Sequence, residues 1–164
     1  MFRFCKLFGD QYLGFWFVGL LLFAVQEIPY MIMPFIKMGN DPLMHMKESS
    51  AALNIAEKIL GSLCIALMSF IVCGDSQLFS VSPGRERLFF ILAAAALLLN
   101  FAGWALYFSG RQDIFIIMFF LVLMPPLYYI FVGAWRYNIP LVITGIAFLA
   151  VHFTHVLSNL LSDR

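Results

Sequence analysis

The sequence predicts an all-α integral membrane protein, one domain over residues 1–164, built as a bundle of five transmembrane helices with proline-kinked first and fourth helices. Three observations predict it. Hydrophobic residues make up 63% of the 164 residues and charged residues only 12%, against roughly a quarter charged in a soluble domain. Mean hydropathy is +0.93. Apolar runs of about twenty residues or more, the length that a bilayer core requires, occur over about 12–36, 51–74, 88–108, 114–135 and 139–161, with polar, turn-forming residues between them.

The elements follow in order. Phe2, Arg3, Phe4, Lys6 and Phe8 mix aromatic with basic side chains, which suits an interfacial lead-in before the first helix. The first apolar run follows basic residues as a signal peptide does. It is too long for such a segment and lacks a small-residue cleavage site, so it is expected to remain a membrane helix. In the polar connection from Lys37 to Ser50, Asp41-Pro42 matches an N-cap followed by proline at the first helical position, so the second helix is expected to begin well before its span.

Ser82-Pro83-Gly84 marks a turn, with Arg85, Glu86 and Arg87 at the membrane surface before the third span. Ser109-Gly110-Arg111-Gln112-Asp113 is a tight reversal, its glycine suited to a helix end and Asp113 to the next N-cap. Arg136 to Ile139 is shorter still, and Pro140 falls in the first turn of the fifth helix. Spans three, four and five are therefore adjacent antiparallel neighbours. Trp16, Trp104, Tyr107, Trp135 and Tyr137 lie toward span ends, where interface aromatics are expected. The two basic residues before the first helix favour a cytoplasmic N-terminus.

Composition also excludes functions. Ten basic against nine acidic residues make no basic field, so no nucleic-acid partner is expected. There is no glycine-rich phosphate loop, no G-x-S-x-G and no H-E-x-x-H, and no acidic cluster of the kind that binds metal for lipid phosphoryl transfer. Cys5, Cys64 and Cys73 form no C-x-x-C pair and read as packing residues. No cofactor and no metal are expected; His152 and His155 lie too close on one helix to ligate opposite faces of a haem.

The candidate site starts from Glu27, flanked by Gln26 and Pro29 and followed by Pro34. Thirteen Leu, Ile, Phe and Val residues in the first run contribute roughly −4 to −8 kcal/mol to insertion, and a charge near the centre costs about 3 kcal/mol. The helix inserts despite Glu27, and the penalty points Glu27 into the bundle. Pro29 and Pro34 release the carbonyls of Val25 and Tyr30, making a polar notch beside it. At compatible depth lie Asn100 on the third span, His152 and His155 on the fifth, and Glu57 on the antiparallel second. His152, His155 and Asn159 follow three-and-four spacing, so they share one stripe. Met124-Pro125-Pro126-Leu127-Tyr128-Tyr129 puts a second proline break into the fourth span.

The expected ligand- or proton-binding residues are Glu27, Glu57, Asn100, His152 and His155, with no catalytic residue assigned. The expected function is a non-enzymatic binding protein, a small carrier or accessory subunit, whose intramembrane pocket takes a mostly apolar or protonatable small molecule or a lipid. The alternative is an intramembrane enzyme using a Glu/His acid–base pair on a lipid-like substrate. The bilayer is the one obligatory partner, and the small interior of five helices leaves room for a membrane-protein partner or a second copy.

Overall fold

The computed structural model describes residues 2–36, 38, 41–44, 46–73 and 78–162. It is 71% helical, with five helices long and apolar enough to cross a membrane. In chain order come β1 (Phe2–Phe8), β2 (Gln11–Phe15), α1 (Phe17–Ile32), a 3₁₀ turn (Met33–Phe35), α2 (Ala51–Phe70), β3 (Ile71–Cys73) and α3 (Arg85–Phe108). The fourth span consists of α4 (Ile114–Ile116), a π-helical stretch (Ile117–Leu123) and α5 (Met124–Trp135); α6 (Ile139–Ser162) follows.

The expectation of an all-α chain is corrected by the three short strands. They form one antiparallel sheet in the order β1-β2-β3. Gly9 and Asp10 make the two-residue turn between β1 and β2, and Gly9 takes φ +50, the sign such turns need at their first central residue. Pairing to both neighbours holds Gln11–Phe15 extended, so α1 starts at Phe17 and not near Tyr12. Likewise α2 stops at Phe70, where Ile71–Cys73 join the sheet, and the Gly74 end expected for this span lies outside the described residues.

Asp41 does not cap the second helix. Its Oδ1 accepts from the Met44 N–H at 3.1 Å and from the Tyr107 hydroxyl at 2.6 Å, so it closes a turn and ties that turn to α3. Ser50 is the N-cap of α2, its Oγ accepting from Leu53 N–H. The third helix starts at Arg85, where Glu86 accepts the Ser82 N–H at 2.9 Å. Asp113 caps the fourth span by accepting from Ile116 N–H at 3.1 Å. Pro140 lies in the first turn of α6, and Asn138 accepts from Leu141 N–H at 3.1 Å.

The fourth span is the centre of the bundle. It packs on α3 and α6, while α6 also packs on α2 and α1 lies mainly against α2. More than half of its apolar window is buried, whereas Ile55, Ile59, Leu98, Ile143 and Ile146 on other helices face outward. Trp16, Trp104, Tyr107 and Trp135 do not face outward as interface aromatics would. They are 0–3% exposed and fill the two ends of the core. The Trp135 ring meets Trp16, Phe79 and Phe90 at 5.8, 5.4 and 5.0 Å. Arg136 lies 4.9 Å over Trp16, and burial draws its guanidinium below the ordinary value while Glu86 opposes that shift.

Gly103 marks a close approach of α3 to the π-helical stretch. A Cβ there would stand 2.2 Å from the Phe120 Cβ and 2.9 Å from Leu121 Cδ1. Gly103→Ala is therefore expected to destabilise the protein by about 1–3 kcal/mol through overpacking, read as a lower unfolding midpoint. An unchanged midpoint would mean that α3 and the π-helical stretch can part without loss.

Candidate functional site

Two prolines in the fourth span create the demand that organises the site. In an α-helix the Leu121 carbonyl would bond to the N–H of residue 125, and in a π-helix to that of residue 126; both are proline. Pro125 also removes the π-type partner of the Phe120 carbonyl. Side chains from other helices answer. The Tyr30 hydroxyl donates to the Leu121 carbonyl at 3.1 Å, and Asn100 Nδ2 donates to the Phe120 carbonyl at 3.0 Å. Sequence spacing explains why these two can cooperate: Gln26 and Tyr30 on α1, and Asn100 and Trp104 on α3, are each four residues apart and share a helix face. The Tyr30 ring meets Trp104 edge-on at 4.8 Å.

This junction is incompletely satisfied. Gln26, Asn100 and Trp104 are 1–2% exposed, yet Gln26 Oε1, Asn100 Oδ1 and Trp104 Nε1 have no hydrogen-bond partner among the described residues. Trp104 and Asn100 lie close enough to the Tyr30 hydroxyl to interact with it, although the indole N–H falls short of hydrogen-bond geometry. The two amide oxygens remain. A buried polar group left unpaired costs about 1–3 kcal/mol, so each of these two orphan acceptors, one on α1 and one on α3, calls for a donor.

The second polar group lies between α2 and α6. Glu57 Oε2 contacts His155 Nδ1, and Glu57 Oε1 lies 3.1 Å from His152 Nδ1 at angles that fall outside a hydrogen bond. His155 Nε2 meets Asn159 Nδ2 at 3.1 Å, and Asn159 Oδ1 accepts from Ser49 N–H at 2.8 Å. These directions determine the tautomer. Asn159 donates to Nε2, so His155 carries its proton on Nδ1 and gives it to Glu57. His152 stacks on Phe148 with centroids 5.1 Å apart.

Among the residues expected from the sequence, Glu57, His152 and His155 thus come into direct contact, and Asn100 belongs to the junction around Tyr30. Glu27 is half-buried on α1, with no hydrogen bond or ion pair among the described residues. Glu27 and Glu57 both lie near enough to Tyr30 to act on it electrostatically. Sequence reasoning missed Tyr30, Trp104 and Ser49 as participants. The four-residue spacings could have revealed the first two; nothing local marks Ser49. Among the described residues no group of three or more His, Cys, Asp or Glu side chains could hold a metal ion. In the Glu57–histidine group the Nδ1 atoms address the carboxylate and not a shared centre. Comparison of the chain with protein-family models, curated proteins and solved structures gives no significant match.

Proposed function

We propose that this protein is an integral membrane protein that binds a small, mostly apolar molecule through one hydrogen-bond-donating head group, a hydroxyl or an amine. The single observation that carries this reading is the pair of buried, unpartnered acceptors Gln26 Oε1 and Asn100 Oδ1 beside Tyr30. A donor head group is what such acceptors lack, and Glu27, next to Gln26 on α1, favours a cationic amine. The prolines of the fourth span support the same reading, because the carbonyls they free draw Tyr30 and Asn100 to this junction. The basic residues Arg3 and Lys6 before α1 support a cytoplasmic N-terminus, and the role we propose is that of a carrier or an accessory subunit.

The test uses decylamine, decanol and decane as probes on protein reconstituted in nanodiscs. The amine and the alcohol are expected to raise the unfolding midpoint of the wild type, and decane is not. Gln26→Leu is expected to abolish that response while leaving the unliganded midpoint unchanged or higher, since an apolar replacement removes an unsatisfied acceptor. Equal response to all three probes, or a Gln26→Leu protein that responds like wild type, removes the basis for this reading.

A second reading is supported by Glu57, whose contact with His155 has the reach that general acid–base catalysis requires. Both carboxylate oxygens already face histidines. Neither Ser49 nor Ser158, the nearest hydroxyls in the network, addresses a histidine nitrogen; they meet each other at 2.7 Å, and Ser158 donates to the His155 carbonyl. Binding is therefore the reading we put forward, and turnover of a lipid ester by the wild type but not by Glu57→Gln would reverse that choice.

A further inference from the structure

The three-stranded sheet lies at the end of the bundle where α1 begins, α2 ends, α3 begins and α5 passes into α6. It is anchored there: Trp16 N–H donates to the Ser69 carbonyl at 2.8 Å, and Gln11 Nε2 donates to the Tyr137 carbonyl at 2.8 Å. Its outer strand is built differently from the rest of the fold. All seven residues of β1 are exposed, including Phe2 at 68%, Phe4 at 71%, Leu7 at 46% and Phe8 at 53%. No strand among the described residues pairs with its outer edge. Arg3 and Lys6 stand among these aromatics.

Two physical limits narrow what can cover such a strand. Its unpaired backbone groups cannot lie in hydrocarbon, and α1 starts only two residues after β2, so the hairpin cannot stand far above the surface either. Only the headgroup layer meets both limits. Charge then selects the lipid. Among the described residues this end carries five basic residues, Arg3, Lys6, Arg85, Arg87 and Arg136, against the two acidic residues Asp10 and Glu86. Glu86 is engaged by Ser80 and Ser82, which turns it back onto the protein. Edge-to-edge pairing with a second copy is disfavoured by the two register irregularities in β1, at Arg3/Cys5 and at Lys6/Phe8, since bulges and charged side chains on an edge oppose strand addition.

We propose that the β1–β2 hairpin is a docking surface for an anionic membrane leaflet, in which Arg3 and Lys6 engage lipid phosphates and Phe2, Phe4 and Phe8 enter the interface beside them. The proposal rests on the membrane-spanning reading above. It makes the hairpin a lipid-dependent element, docked on an acidic leaflet and released from a neutral one. Each basic residue near an anionic surface contributes about fivefold to the docking equilibrium.

Cys5 on β1 is exposed and Cys64 is buried, so the Cys73→Ser protein offers Cys5 as a built-in reporter. This protein is reconstituted in nanodiscs of phosphatidylcholine alone or with phosphatidylglycerol, and its modification by a membrane-impermeant maleimide is timed. Modification of Cys5 is expected to be at least about fivefold slower with phosphatidylglycerol, to recover in high salt, and to lose its lipid dependence in the Arg3→Gln/Lys6→Gln variant. Equal rates in the two lipids overturn the proposal, as does protection that follows the number of copies per disc instead of lipid charge. Extraction of the chain from vesicles by alkaline carbonate would instead overturn the membrane-spanning reading, so the two failures are distinguishable.

Discussion

Glu57→Ala is expected to lower stability by about 1–2 kcal/mol, the upper range for polar contacts between apolar helices, and Glu57→Gln by much less. Glu57 is the only described side chain that joins both histidines of α6 to α2. Truncation leaves His155 Nδ1–H without its acceptor, while its other nitrogen stays committed to Asn159. Glutamine restores an acceptor of the same reach. The decisive measurement is a double-mutant cycle with His155→Ala, in which the two losses should be strongly non-additive. Additive losses, or an alanine variant as stable as glutamine, would show that α2 and α6 are held by apolar packing alone. The consequence would extend to Asn159 and Ser49, because the connection before α2 is tied to α6 through the same chain of bonds.

Trp135→Ala should be the more damaging change, with a loss of about 3–5 kcal/mol for removing a buried aromatic. Trp135 is 1% exposed and packs against Trp16, Phe79 and Phe90. Its Nε1–H also donates to the Ser80 carbonyl at 2.8 Å, so one side chain joins α5, the start of α1, α3 and the segment before α3. Trp135→Phe keeps most of the ring packing and loses only the Ser80 bond, for which about 1 kcal/mol is expected. A ratio near unity between the two losses in unfolding experiments would mean that the ring contacts contribute little.

Much of the architecture is legible in the sequence, for reasons tied to particular residues. The Gly110 and Asp113 reversal and the Pro140 start act through neighbours within one turn, so the spacing alone places them. The N-terminal strands are also signalled, by Gly9-Asp10 between two apolar runs, but the apolar content of Tyr12–Trp16 reads equally well as the start of a helix. Pairing with β1 and β3 decides between them. Asp41-Pro42 misleads for the opposite reason: the local cap signal is strong, and a distant Tyr107 hydroxyl takes the same carboxylate. The aromatic residues near the span ends follow an interfacial pattern in sequence, and Tyr137 does stay exposed, yet the rings of Trp16, Trp104, Tyr107 and Trp135 turn inward because large side chains are needed to close the ends of a small bundle.

The candidate site divides along the same line. The His152, His155 and Asn159 stripe follows from helical spacing, and Glu57 as its partner requires only a matching depth. Tyr30 is different. Its role arises because Pro125 and Pro126 together leave the Leu121 carbonyl without a backbone partner, and that vacancy is filled from a helix 91 residues away in sequence.

By itself, then, the sequence determined five apolar helices and the short reversals between the last three, since hydropathy and capping are sums over near neighbours. Only the tertiary structure decided that Glu57 meets His152 and His155, that Tyr30 and Asn100 answer the proline pair, and that the first residues form a sheet. Those outcomes depend on how each helix is rotated and offset against the next, and no local pattern in the chain encodes that.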